Sequence, residues 1–148
     1  KTPREGCEAA LASLQVEGIC LKQISNWYET APVPVSDQPW YLNAVALATT
    51  SVDPSMALAA LHRIESCFGR VRKEQNEARV LDMDLLDFDG ECKQNSSLTL
   101  PHPRMHERAF VLLPLRELCP EWTHPISGIS IDNLVERLPP GQKIRLAV

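Results

Sequence analysis

Aromatic side chains make up only 5% of the 148 residues, and glycine occurs just 6 times. Neither G-x-x-x-x-G-K-[ST] nor G-x-G-x-x-G is present, so a Walker loop and a kinase glycine loop are both excluded. The cysteines (Cys7, Cys20, Cys67, Cys92, Cys119) are odd in number, widely spaced and never form C-x-x-C. That pattern fits neither a disulfide framework nor a zinc ribbon, and it suits a reducing cytoplasm. No apolar run approaches the roughly 18–20 residues of a membrane span, and no cationic-then-apolar start reads as a secretory signal, so no membrane association is expected. A net charge of −4 and a pI near 5.6 argue against a nucleic-acid partner. What is abundant is proline, with 12 residues. The chain is expected to be one domain, 1–148, of short elements joined by shaped loops.

Local signals set the order of elements. Thr2-Pro3-Arg4-Glu5 has a threonine N-cap, proline at the first helical position and glutamate three residues on, a capping box that predicts a helix over 3–16. Residues 19–30 and 41–50 read as strands, separated by a proline-punctuated loop at 31–39. The small residues Ala44, Ala46 and Ala48 suggest a helix packed closely over one strand face. Asp53-Pro54 opens a second helix, with Leu58, Leu61, Ile64 and Phe68 on one face and Gly69 as its C-cap. A charged loop at 70–79 leads into a strand at 80–88; a short strand at 98–100 and a helix over 107–118 follow. Residues 120–148 carry no legible motif. This order is the split βαβ pattern without its first strand, an α+β, ferredoxin-like sandwich with extra C-terminal elements.

The chemistry concentrates in the second half. Asp82 and Asp84 point to one face of a strand, with Cα atoms roughly 7 Å apart. Two carboxylates about 6 Å apart repel by ~3 kcal/mol at an effective dielectric near 20. A divalent cation relieves that repulsion, and Mg²⁺ prefers carboxylate and phosphate oxygens. Taken alone, D-x-D is a weak signal and reads first as a solvent-facing strand with two ordinary acidic residues. Arg70, Arg72 and Arg79 lie just upstream, where guanidinium forks match phosphate oxygens; their alternative is a solvated loop paired with Glu74 and Glu77. Acid pair and arginine cluster together favour metal-assisted phosphoryl transfer. His102 and His106 stand four apart, but Pro103 breaks the helical turn a shared zinc would need. His102 and Arg108 fit better as donors to a phosphate. Tyr41 with Asn43, and Phe110 beyond Arg108, would suit a flat heteroaromatic ligand, although core packing is the ordinary fate of such residues.

The stretches at 28–33 (YETAPV), 37–43 (DQPWYLN), 69–72 (GRVR), 78–84 (ARVLDMD) and 101–110 (PHPRMHERAF) resemble, in order and spacing, the motifs of the 6-hydroxymethyl-7,8-dihydropterin pyrophosphokinase family. The resemblance covers roughly residues 2–120. It implies a ferredoxin-like fold and transfer of the β,γ-pyrophosphoryl group of ATP to the pterin hydroxymethyl group, with AMP released, in folate biosynthesis. Asp82 and Asp84 match the holders of two Mg²⁺ ions, and Arg70 and Arg79 match arginines that assist transfer. Arg72 matches another, ATP-binding arginine on the family's mobile loop, and His102 and Arg108 match groups near the ATP phosphates. Leu85, Thr99, His62 and Glu65 match nucleotide contacts. Tyr41 and Phe110 match the rings that sandwich the pterin, Asn43 its edge-reading amide, and Thr30 and Val33 its backbone contacts. ATP and the pterin are the implied partners of a cytoplasmic monomer.

Three departures from the family stand out. The sequence begins just after the point where the family carries its first, interior strand. The expectation is that this strand lies outside the sequence, or that another segment fills its slot. The loop between Arg72 and Arg79 lacks a tryptophan and an arginine found in some members, and Ser97 stands where some place a basic residue. Two other readings compete: a ferredoxin-like regulatory module that binds a small molecule without needing the arginines, and a catalytically impaired homologue.

Overall fold

The computed structural model describes residues 2–32, 37, 39–69 and 81–147. Helix α1 (Pro3–Ser13) starts at the expected capping box: the Thr2 hydroxyl accepts from Glu5 N–H at 3.1 Å, and the Glu5 carboxylate accepts from Thr2 N–H at 3.3 Å. It ends earlier than expected, in a 3₁₀ turn at Gln15–Glu17 closed by Gly18 at φ 82. Helix α2 (Pro54–Gly69) starts where the Asp53 carboxylate accepts from Met56 N–H at 2.8 Å.

Each long strand expected between 19 and 50 divides in two. Strand β1 (Ile19–Ile24) pairs antiparallel with β4 (Ala46–Thr50), while β2 (Tyr28–Thr30) pairs with β3 (Tyr41–Asn43) in a separate sheet. The break has a local cause. Three residues, Ser25–Trp27, stand against two, Ala44 and Val45, so one strand carries an extra residue and bends. Buried Ser25 holds the bend, its hydroxyl accepting from Val45 N–H at 3.0 Å and donating to Asn26 C=O at 2.8 Å.

The later elements are short. Strands β5 (Lys93–Gln94) and β6 (Thr99–Leu100) form a hairpin, and a 3₁₀ turn at Met105–Glu107 precedes α3 (Ala109–Leu118), which starts two residues later than expected and ends where expected. The stretch without a motif contains α4 (Ile131–Glu136) and β7 (Ile144–Leu146), and β7 adds to the free edge of β2. The result is an α+β arrangement of antiparallel sheets and four helices among the described residues. None of these helices is long and apolar enough to cross a membrane.

Two apolar cores flank residues 81–88. Ala10 and Leu14 of α1 pack with Ala57, Ala60, Leu61 and Ile64 of α2 and with Ile19; Leu81, Met83, Leu85 and Phe88 join this core. The buried stripe of α2 thus includes two alanines, and Leu58 falls outside it. On the other side, Val111, Leu112 and Leu115 of α3 pack with Ile131 and Leu134 of α4, with Leu86 against them. Burying one such leucine or isoleucine contributes about 1.5–3 kcal/mol, so both faces of the 81–88 segment are fixed by packing.

The strand expected at 80–88 differs most from its reading. Residues 81–87 join no ladder among the described residues, and β4 pairs with β1 alone. Between them runs a groove of about 640 Å³, lined by Ala44–Thr50 on one side and Leu81–Asp89 on the other. Among the described residues no helix covers the small face of β4: Ala46, Leu47, Ala48 and Thr49 are all exposed. The expectation of close helix packing there is therefore corrected, and the open groove is the reason.

Candidate functional site

The carboxylate segment forms one wall of a cavity of about 370 Å³. Leu58, His62 and Glu65 of α2 face it, Asp82–Leu85 line it, and Ser97–Thr99, His102 and Pro103 close it. Seven of the residues singled out in the sequence therefore meet in one place: His62, Glu65, Asp82, Asp84, Leu85, Thr99 and His102. Leu58, Met83, Leu98 and Pro103 complete the walls without having been singled out. Leu58 reads as core by helical spacing, and nothing local to it signals a cavity. The three-to-two spacing that bends the strands is equally silent.

Side-chain to backbone bonds hold these walls. The Glu65 carboxylate accepts from Met83 N–H at 2.6 Å, gripping the peptide between the two aspartates. His102 N–H donates to Leu86 C=O at 2.8 Å, tying the turn after the cis Leu100–Pro101 bond to the same segment. The Trp122 indole N–H donates to the Asp87 carboxylate at 2.9 Å. On the hairpin, the Asn95 side-chain oxygen accepts from Ser97 N–H at 3.0 Å and Leu98 N–H at 2.9 Å, a turn of the Asx kind. Leu98 and Leu100 are thereby buried while Thr99, between them, lines the cavity.

Burial pushes the His102 imidazole below its ordinary pKa, the Asp84 charge pulls it back up, and Arg108 and Arg104 add to the lowering. The net effect favours the neutral imidazole. Its Nδ1 accepts from Arg104 N–H at 3.2 Å, which leaves Nε2–H as a hydrogen-bond donor.

A second group of residues lies on the β2–β3 sheet. Thr30 stands opposite Tyr41, and Tyr28 opposite Asn43. The Asn43 side-chain NH₂ donates to the Thr30 hydroxyl at 2.8 Å, so that amide is already oriented. Tyr41 is 46% exposed. Asn43 borders the same groove as Asp82 and Asp84. Phe110, on the first turn of α3, packs on the second core, and the Arg108 guanidinium lies 5.4 Å from its ring centroid. Val33, Arg70, Arg72 and Arg79 fall outside the described residues.

A divalent cation fits the donor set. Two carboxylates two residues apart supply hard oxygen ligands. No group of three or more His, Cys, Asp or Glu side chains able to hold a metal occurs among the described residues, so further ligands would be phosphate oxygens and water.

A family model described as 7,8-dihydro-6-hydroxymethylpterin-pyrophosphokinase matches residues 1–120. The chain belongs to this family. It is 40% identical over 146 residues to a 2-amino-4-hydroxy-6-hydroxymethyldihydropteridine pyrophosphokinase of Haemophilus influenzae, covering 98% of this chain and 91% of that protein. A protein of the same description from Synechocystis is 37% identical over 135 residues, covering 90% of this chain and 69% of the relative. The folic acid synthesis protein fol1 of Pneumocystis carinii is 35% identical over 129 residues, 87% of this chain but 17% of that longer protein. The family match ends at residue 120, so α4 and β7 lie beyond it.

Proposed function

We propose that this chain transfers the β,γ-pyrophosphoryl group of ATP to 6-hydroxymethyl-7,8-dihydropterin, as its pyrophosphokinase relatives are named for doing. The observation that carries the reading is the single cavity in which Asp82 and Asp84 meet His62, Glu65, Thr99 and His102, in a member of this family. The pterin hydroxyl oxygen bonds to the β-phosphorus, the bond to the α,β-bridging oxygen breaks, AMP leaves with that electron pair, and the hydroxyl proton is lost to solvent. Asp82 and Asp84 would hold Mg²⁺ together with the triphosphate; when bound, the metal offsets phosphate charge. His102 Nε2–H donates to a phosphate oxygen as a neutral group. Arg108 adds a charge at the start of α3. Arg70, Arg72 and Arg79 enter by resemblance alone, as cations that stabilise the charge developing on AMP.

For the other substrate, Asn43 reads the pterin edge with an amide oriented by Thr30, while Tyr41 and Phe110 supply the rings. The reaction is then positioning plus charge neutralisation. We also infer the ferredoxin-like form of the fold. The groove between β4 and residues 81–89, which no described strand fills, suits one further strand. The free thiols, with Cys20, Cys67 and Cys92 exposed, suit a reducing compartment such as the cytoplasm.

The test is AMP release from ATP, Mg²⁺ and the hydroxymethylpterin, comparing wild type with Asp82→Ala. Wild type is expected to release AMP, and the variant about 10³-fold more slowly, as for loss of a principal group that stabilises transferring charge. No AMP from wild type overturns the reading and restores the binding-module and impaired-homologue alternatives.

A further inference from the structure

The segment after α4, beyond the family match, reaches both walls of the site. Gln142 makes the first connection. Its side-chain oxygen accepts from Ala109 N–H at 2.8 Å, and its NH₂ donates to Glu107 C=O at 2.9 Å and to Pro139 C=O at 3.2 Å. The amide therefore grips the backbone on either side of Arg108. Ala109 N–H is one of the orphan donors at the start of α3, and Arg108 provides no side-chain cap of its own. The missing cap is supplied from 33 residues further along the chain.

The second connection follows at once. Strand β7 lies along β2, with Ile144 opposite Thr30 and Arg145 opposite Glu29, and Ala31 N–H donates to Lys143 C=O at 3.1 Å. Arg145 pairs with Glu29 at 3.0 Å, and its guanidinium carbon sits 3.9 Å from the centroid of Trp40, the residue before Tyr41. One short stretch thus ties the Arg108–Phe110 turn to the sheet that carries Thr30, Tyr41 and Asn43.

We propose that Gln142 and Arg145 are positioning residues: Gln142 sets Arg108 and Phe110, Arg145 sets the Trp40–Tyr41 edge, and together they fix the spacing between the two walls. Naming the affected substrates rests on the pyrophosphokinase reading; the backbone grip itself does not. A role in general stability alone would weaken the whole fold evenly. The geometry instead localises the effect, because Gln142 and Arg145 are exposed, and among the described residues Gln142 bonds Glu107, Ala109 and Pro139 while Arg145 meets Glu29 and Trp40.

The experiment compares Gln142→Met, which keeps length and loses all three side-chain bonds, with Gln142→Glu, which still accepts from Ala109, and with Arg145→Met. Amide hydrogen exchange, read on the protein without substrate, should speed about tenfold at Ala109–Leu112 in Q142M, the size expected for a lost cap, and less in Q142E. In steady-state assays, Q142M should raise KM for both ATP and pterin about tenfold. R145M should raise KM for the pterin alone, about threefold, with kcat at saturation unchanged. Wild-type exchange at 109–112 in Q142M overturns the proposal, and so does a lowered Tm in all variants with both KM values unmoved. A wild type that releases no AMP overturns the pyrophosphokinase reading instead, and the exchange measurement still decides the grip.

Discussion

The carboxylate wall is held from several sides at once: Glu65 grips Met83 N–H, His102 grips Leu86 C=O, Trp122 grips the Asp87 carboxylate, and an apolar core packs on each flank. The wall formed by β2 and β3 is built otherwise. Its strands are three residues long, Tyr41 is a little under half exposed, and its outer supports are an exposed ion pair and a ring contact from β7. Charge-bearing atoms thus sit where packing and part-buried hydrogen bonds fix them, while under the proposed function the heteroaromatic ligand would be met by a thinner sheet. The contrast follows from the chemistry. A displaced carboxylate loses a large electrostatic effect, whereas a displaced ring loses part of a contact area.

The sharpest way to break the contrast is at Glu65. Glu65→Leu removes the acceptor of Met83 N–H and leaves that amide unpaired between the two aspartates. Misplacement of about 1 Å in such a site costs about 10²-fold, so kcat for AMP release should fall by that order. Glu65→Gln keeps an oxygen acceptor and should lose about tenfold or less. Equal losses in the two variants, measured at saturating ATP and Mg²⁺, would show that the charge of Glu65 matters and its grip on the backbone does not.

A smaller effect is expected on the thinner wall. Asn43→Ala removes the proposed edge-reading amide and should weaken pterin binding about tenfold. Thr30→Val leaves that amide in place but unoriented and should weaken it about threefold. Calorimetric titration with the pterin, in the presence of a non-hydrolysable ATP analogue, reads both. Affinity for the analogue itself should be unchanged. Matching losses for pterin and analogue would erase the distinction between the walls.

These expectations draw unevenly on the sequence. The starts of α1 and α2 were legible, because Thr2-Pro3-Arg4-Glu5 and Asp53-Pro54 state their caps locally. The gathering of Asp82, Asp84, His62, Glu65, Thr99 and His102 was legible chiefly through resemblance to a family, since residues on α2 and on the 99–102 turn carry no local sign of their meeting. The division of both long strands at Ser25 and Val45 was not legible. It depends on one extra residue on one strand, which becomes visible only when the partner's register is known. Gln142 was invisible for a similar reason: an exposed glutamine near the end of the chain gives no hint that its partners lie at 107 and 109.

The smallest effect separates the walls by acid. Burial lowers the pKa of His102 and, aided by the nearby His106, that of His124, with the charges of Asp84 and Asp87 respectively pulling the other way. Each uses Nδ1 as an acceptor, from Arg104 N–H in one case and from Ile126 and Ser127 N–H in the other. Well above a pH of about 6.5 these histidines are neutral in both folded and unfolded chains, so they contribute no pH dependence there. As pH falls from there towards their lowered folded values, the unfolded chain binds protons that the folded chain does not, and stability drops by at most about 1.4 kcal/mol per pH unit for each group. His124→Gln, outside the cavity, should flatten the fall in urea-denaturation stability between pH 7 and 5 while AMP release persists; His102→Gln should flatten it and also slow release. Tyr28, which anchors the other wall through its bond to Glu117, is pushed up to about 12 by burial and that carboxylate. Its hydroxyl stays a donor across the range, so exchange protection of β2 should track global stability with no acid step of its own, and a separate loss of protection there would place an acid-sensitive contact on the wrong wall.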